Sequence, residues 1–132
     1  MENRIFIASD TNVFRDTVKL FDLIIDMTPG FPREYKYTVG GQMHSLAMNL
    51  MLRIQHAFMM GKEQRQDHLK LFLGDFEVLQ VLVRKAGERR WISRAKHAET
   101  AELMIAIGKQ ITAWKNRPNT TAGEGGNPGG HG

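Results

Sequence analysis

Four stretches of the chain repeat apolar residues at helical spacing. Between Thr11 and Met27 they fall at Phe14, Val18, Phe21 and Ile25, with Leu20 and Ile24 alongside. Arg15, Asp16, Lys19, Asp22 and Asp26 take the other side, Thr11 is a suitable N-cap, and Thr28-Pro29-Gly30 stops the pattern. A second helix is predicted over Val39–Met60, capped by Thr38 and stopped by Gly61. Its seam is Met43, Leu46, Ala47, Leu50, Ile54, Ala57 and Phe58. A third is predicted over Gln64–Ala86, with Leu69, Phe72, Leu73, Phe76, Leu79 and Val83 inside and Gly87 as its C-cap. The fourth begins after Ser93, an N-cap, and runs to Asn116 with Ala101, Met104, Ile107, Gly108, Ile111 and Trp114 inward. Gly108 in mid-helix implies close approach of a neighbouring helix, since it costs ~1 kcal/mol relative to alanine.

Short connections between four amphipathic helices predict an all-α, antiparallel up-down-up-down four-helix bundle over residues 11–117. Residues 1–10, with Ile5, Phe6 and Ile7, are expected to form an N-terminal arm. Residues 118–132, rich in Gly, Asn, Thr and Pro, are expected to be a disordered tail. Residues 31–37 read as a loop stiffened by Pro32. The second and third helices are apolar beyond their seams, at Met48, Met51, Leu52 and Met59 and at Leu71, Val78 and Leu82. A helix buried on two sides favours a homo-oligomer.

Charge changes this picture most. The chain carries +4 overall, yet Arg84–Lys96 alone holds six cations against Glu88, a net +5. Arg84 and Lys85 near a helix C-terminus complement its dipole, but Arg94 and Lys96 open a helix, where the dipole disfavours them. Capping does not explain those two. A basic turn must face water or a polyanion, so Arg84, Lys85, Arg89, Arg90, Arg94 and Lys96 are candidate binding residues. Lys109, Lys115 and Arg117 extend the basic character along the fourth helix. Arg33 and Lys36, beside Tyr35 and Tyr37, suit phosphates and stacked bases. Residues 10–27 hold four Asp against Arg15 and Lys19, so two faces of different charge are expected.

Other chemistry is thin. There is no cysteine, so disulfides and thiolate metal sites are excluded. No glutamate has a histidine three positions on, and no two histidines are four apart, so no metal or other cofactor is expected. Gly40-Gly41 lacks the flanks of a phosphate loop, and no nucleophile elbow stands out. The protein is expected not to be an enzyme. It is expected to be cytoplasmic: the first ten residues lack signal-peptide order and no apolar run reaches the ~18 residues of a membrane span.

Several stretches then fall into a familiar order. Phe31-Pro32-Arg33-Glu34-Tyr35-Lys36-Tyr37-Thr38-Val39-Gly40, the basic elbow with Ile92-Ser93, and Ile107-Gly108-Lys109-Gln110-Ile111-Thr112-Ala113-Trp114 together resemble the accessory variability determinant proteins of diversity-generating retroelements. These belong to a broader group of four-helix-bundle proteins that includes those encoded in ribosomal RNA intervening sequences. The resemblance covers roughly residues 12–117. It implies a homopentameric barrel of basic protomers with no active site. It also implies binding to the element's reverse transcriptase, its template RNA and the cDNA, in support of adenine-directed mutagenic cDNA synthesis and retrohoming. Under it, Arg89, Arg90, Arg94 and Lys96 contact RNA or polymerase, and the other candidate cations extend that surface. The alternative is a structural oligomer of the intervening-sequence type with no RNA function.

Overall fold

The computed structural model describes residues 11–117. The expected arm and tail, with His131, lie outside them. The described residues are helical, with no strand among them: α1 (Asn12–Met27), a 3-10 turn (Thr28–Gly30), a one-turn helix α2 (Arg33–Lys36), α3 (Val39–Met59), α4 (Lys62–Glu88) and α5 (Arg94–Lys115). The four long helices pack as α1 on α3, α3 on α4, α4 on α5 and α5 back on α1. That closed square of sequential neighbours is the up-down-up-down bundle, with the α3–α4 pair the most intimate. No helix among the described residues is long and apolar enough to cross a membrane.

Twenty apolar side chains form one continuous core. The expected seams of the second, third and fourth helices are its walls, with Leu50, Ile54, Phe72, Leu79 and Ile107 fully buried. Phe72 stacks on Phe76 at 5.5 Å. A Cβ at Gly108 would meet the Phe76 ring at 3.4 Å, so α5 lies close to α4 there, as the mid-helix glycine implied.

The α1 seam keeps the expected Leu20 and Ile24 but is rotated away from the Phe14-Val18-Phe21-Ile25 stripe. Val13, Thr17, Leu20, Ile24 and Met27 are buried, whereas Phe14, Val18 and Phe21 are half-buried and Ile25 is exposed. Thr17 lies inside because its hydroxyl donates to the Val13 carbonyl at 2.7 Å, which satisfies the polar atom locally.

Several ends differ too. Thr11 and Ser93 cap as expected, accepting from the Phe14 amide at 3.2 Å and the Lys96 amide at 3.0 Å. Thr38 does not cap: its backbone is already helical and its hydroxyl donates back to the Glu34 carbonyl at 3.2 Å. The segment expected to be loop therefore contains α2. Gly61 does not stop the second helix but is the extended residue that opens α4, which starts at Lys62 rather than Gln64. At the other end α4 runs past Gly87 to Glu88, so the cap lies at Arg89.

Of the surplus apolar positions, Met51 and Leu82 are half-buried, Leu82 against the core, and the rest stay on the surface, joined by Val81. Met48, Leu52 and Met59 are exposed on α3, and Leu71, Val78 and Val81 on α4. Their spacing places each set on the side of its helix away from the core.

Candidate functional site

The turn from α4 to α5 is built by a Schellman ending. The Trp91 amide donates to the Ala86 carbonyl at 2.9 Å and the Arg90 amide to the Gly87 carbonyl at 3.1 Å. This pattern needs a left-handed residue after the cap, and Arg90 supplies it with φ 62°, the one non-glycine residue with positive φ among those described. Glycine is the usual occupant because a Cβ in that conformation costs roughly 1–2 kcal/mol. An arginine here retains a cation at the cost of backbone strain, a conformation that clusters at functional sites.

Gly87 has a different task from the expected cap. It lies inside α4, and a Cβ there would come within 2.7 Å of the His97 Cγ. Only glycine lets the His97 ring, one turn into α5, rest on the α4 backbone. The chain then extends through Ile92 to the Ser93 cap and enters α5. Between the two helices lies a cavity of about 670 Å³ whose walls include Arg90, Trp91, Arg94 and His97.

Trp91 fastens a second basic segment to this turn. Its ring stacks on Tyr35 at 4.9 Å, meets the buried Phe31 at 5.0 Å, and lies under the Arg89 guanidinium at 5.7 Å. The base of the 28–38 segment is held by Thr28, whose hydroxyl bonds His44 Nε2 at 2.7 Å. Gly40 permits this contact: a Cβ there would lie 3.3 Å from the Thr28 Cβ. α2, with Arg33 and Lys36, is thereby held beside the α4–α5 turn.

One end of the bundle thus collects eight of the eleven candidate cations: Arg33, Lys36, Arg84, Lys85, Arg89, Arg90, Arg94 and Lys96. Residues 28–38 and 84–99 contain only Glu34, Glu88 and Glu99 as carboxylates, a net +5 against +4 for the whole chain. Most of these cations are not neutralised by their own chain. Lys85 pairs with Glu88 at 3.2 Å and Lys96 with Glu99 at 3.3 Å, both exposed i,i+3 pairs, worth little in water. Arg33, Lys36, Arg84, Arg90 and Arg94 have no ion pair among the described residues.

Lys109, Lys115 and Arg117 are not part of this end. Lys115 is 21 residues from Arg94 along α5, or roughly 30 Å at 1.5 Å per residue. The Lys115 carbonyl accepts from Gln66 Nε2 at 2.9 Å, and Arg65 covers the Trp114 ring at 5.8 Å, so that end of α5 abuts the start of α4. The expected continuous basic strip along α5 is therefore two separate patches. The carboxylates of α1 do not form an opposite pole either. Asp16 accepts from Gln110 of α5 at 2.9 Å, while Asp22 and Asp26 are exposed on the half of α1 nearer the basic end. The basic end therefore has no acidic pole opposite it among the described residues.

The charge pattern of the sequence singles out neither Trp91 nor His97. An aromatic inside a basic run was a visible signal for Trp91. His97 gave none, because only the crossing of α4 and α5 brings it onto Gly87. Arg84 also differs from its expected role, since the α4 extension to Glu88 moves it out of the last turn and leaves Lys85 to complement the dipole.

No curated protein matches the chain. A family model described as bAvd-like matches residues 13–118, most of the chain and all four bundle helices. Given that extent, the chain belongs to the bAvd-like family, the accessory variability determinants of diversity-generating retroelements.

Proposed function

We propose that this chain is a non-catalytic accessory subunit that binds the reverse transcriptase and template RNA of its retroelement and supports mutagenic cDNA synthesis and retrohoming. The observation that carries this reading is the concentration of largely unpaired cations at one end of the bundle, in a member of an accessory family. These side chains hold phosphates and position the polymer without reading its sequence. Arg89, Arg90, Arg94 and Lys96 are the principal contacts, with Arg33, Lys36, Arg84 and Lys85 around them. Lys109, Lys115 and Arg117 lie apart from them and contribute only a weaker, secondary contact.

The subunit acts as a homopentamer. The exposed apolar residues of α3 and α4, from Met48 to Met59 and from Leu71 to Val81, support a subunit contact. Singly exposed apolar residues are ordinary, whereas a row of them on paired helices marks an interaction surface. The pair Arg53–Asp75, at 3.5 Å, joins the same two helices.

Co-expression with the reverse transcriptase and template RNA of the same element tests this reading. The expected result is a complex containing all three, with five copies of this chain by light scattering. An oligomer that leaves both polymerase and RNA behind would make the chain a structural protein of the intervening-sequence type.

Arg90→Gly separates stability from binding. The left-handed position relaxes with glycine, so the urea midpoint should rise, equivalent to about 1 kcal/mol. Losing one phosphate contact should at the same time lower RNA affinity about fivefold near 0.1 M salt. A variant that binds RNA as the parent does would remove Arg90 from the interface.

A further inference from the structure

We infer that Tyr37 is a stacking platform for one unpaired base of single-stranded RNA, at a recess between the start of α3 and the last turns of α4. The inference rests on the RNA-binding reading and adds a base contact to the phosphate contacts.

The two tyrosines of the 28–38 segment flank Lys36 and have opposite fates. Tyr35 is packed against Trp91 and holds the segment in place. Tyr37, two residues on, is 81% exposed, the most exposed of the large apolar and aromatic residues among those described. It makes no hydrogen bond or ring contact among the described residues. Burying an aromatic ring is favourable by a few kcal/mol, so folding alone does not account for leaving this one in water.

The ring borders a recess of about 490 Å³. That is within the roughly 300–1,000 Å³ of small-molecule sites. Its floor is apolar, from Val39 and Leu82. Its rim carries Gln42 and Ser45, both exposed, which offer an amide and a hydroxyl to the edge of a base. A Cβ at Gly41 would meet nothing within 4 Å, so the wall there is open. Lys36 precedes the ring, Arg33 lies one turn back on α2, and Lys85 lies one turn beyond Leu82 on α4. Cations around an open aromatic face are the arrangement by which proteins bind single strands, the charge following the backbone and the ring taking a base. The charge around the recess favours a polyanion over an apolar peptide.

Fluorescence anisotropy with a single-stranded and a fully duplexed RNA of the same length tests the assignment. Tyr37→Ala should weaken single-strand binding about tenfold, leave duplex binding within twofold, and leave the salt dependence of both unchanged. Tyr37→Phe should bind as the parent does, since the ring rather than the hydroxyl stacks. Removing one base of the single strand by an abasic scan should cost the parent about tenfold at one position and Tyr37→Ala nothing there. Equal weakening of single strand and duplex would overturn the assignment, as would unchanged single-strand affinity. A changed oligomer mass with unchanged RNA affinity would make Tyr37 a subunit contact instead. If the parent binds neither RNA, the RNA-binding reading itself fails, and this inference with it.

Discussion

Changing Arg89, Arg90, Arg94 and Lys96 together to alanine is expected to lower affinity for single-stranded RNA by roughly 10²–10³ near 0.1 M salt. The figure follows from counterion release. Each phosphate contact contributes about 0.7 to the slope of log affinity against log salt on a single strand, so four contacts remove about 3 from it. The loss must therefore shrink as salt rises, and the lines for parent and variant must converge. Alanine at Lys109, Lys115 and Arg117 is the control, because those residues lie at or toward the other end of α5. It should cost less than tenfold. Titration at 50, 100 and 200 mM salt separates the outcomes. Parallel lines, or equal losses from the two sets, would contradict a phosphate-binding end. The four are not equivalent. Arg90 and Arg94 have no ion pair among the described residues, whereas Lys96 faces Glu99 and Arg89 lies over Trp91. The two unpaired arginines should each supply at least their equal share of the effect.

The sequence makes visible what neighbours in the chain decide. Thr11 and Ser93 act as caps because an N-cap bond closes within three residues. The α4 seam is legible because its inward positions are all apolar. α1 is harder, since two stripes four residues apart in spacing both suit a helix. The buried one contains Thr17, which looks polar until its hydroxyl is seen to bond within its own helix. Gly61 and Gly87 share a residue type and differ in role: one opens a helix, while the other makes room for a ring from another helix. Such a role depends on a crossing that no local pattern encodes.

The same division applies to the candidate site. Its charge is legible as a run of cations, and its shape is not. Nothing in spacing alone says that residues 33–36 lie against residues 89–91, or that Lys115 lies at the far end of α5, roughly 30 Å from Arg94. The aromatic contacts of Trp91 decide the first point, and the length of α5 the second. Nor does composition say that Tyr35 is a strut and Tyr37 is open. These distinctions convert a basic protein into one with a basic end.

Trp91→Ala should expose how far that end depends on a single ring. Truncating a fully buried aromatic costs roughly 3–5 kcal/mol. Trp91 is only half-buried, so about 2–3 kcal/mol is expected, or a fall in Tm of about 10 °C for a domain of this size. Trp91→Phe keeps a ring against Phe31 and Tyr35 and should recover most of that loss. The consequence for binding distinguishes a fastening from a general destabilisation. Measured well below the lowered Tm, the variant still has every cation, but α2 with Arg33 and Lys36 is no longer pinned to the α4–α5 turn. RNA affinity should then fall by about as much as it does in Arg33→Ala/Lys36→Ala, and adding those two changes to Trp91→Ala should cost little more. That non-additivity is the expected mark of residues acting through one contact. A Trp91→Ala protein that melts with the parent would show that Phe31 and Thr28 hold the segment without it. One whose losses add in full to those of Arg33 and Lys36 would show that the two basic segments bind independently.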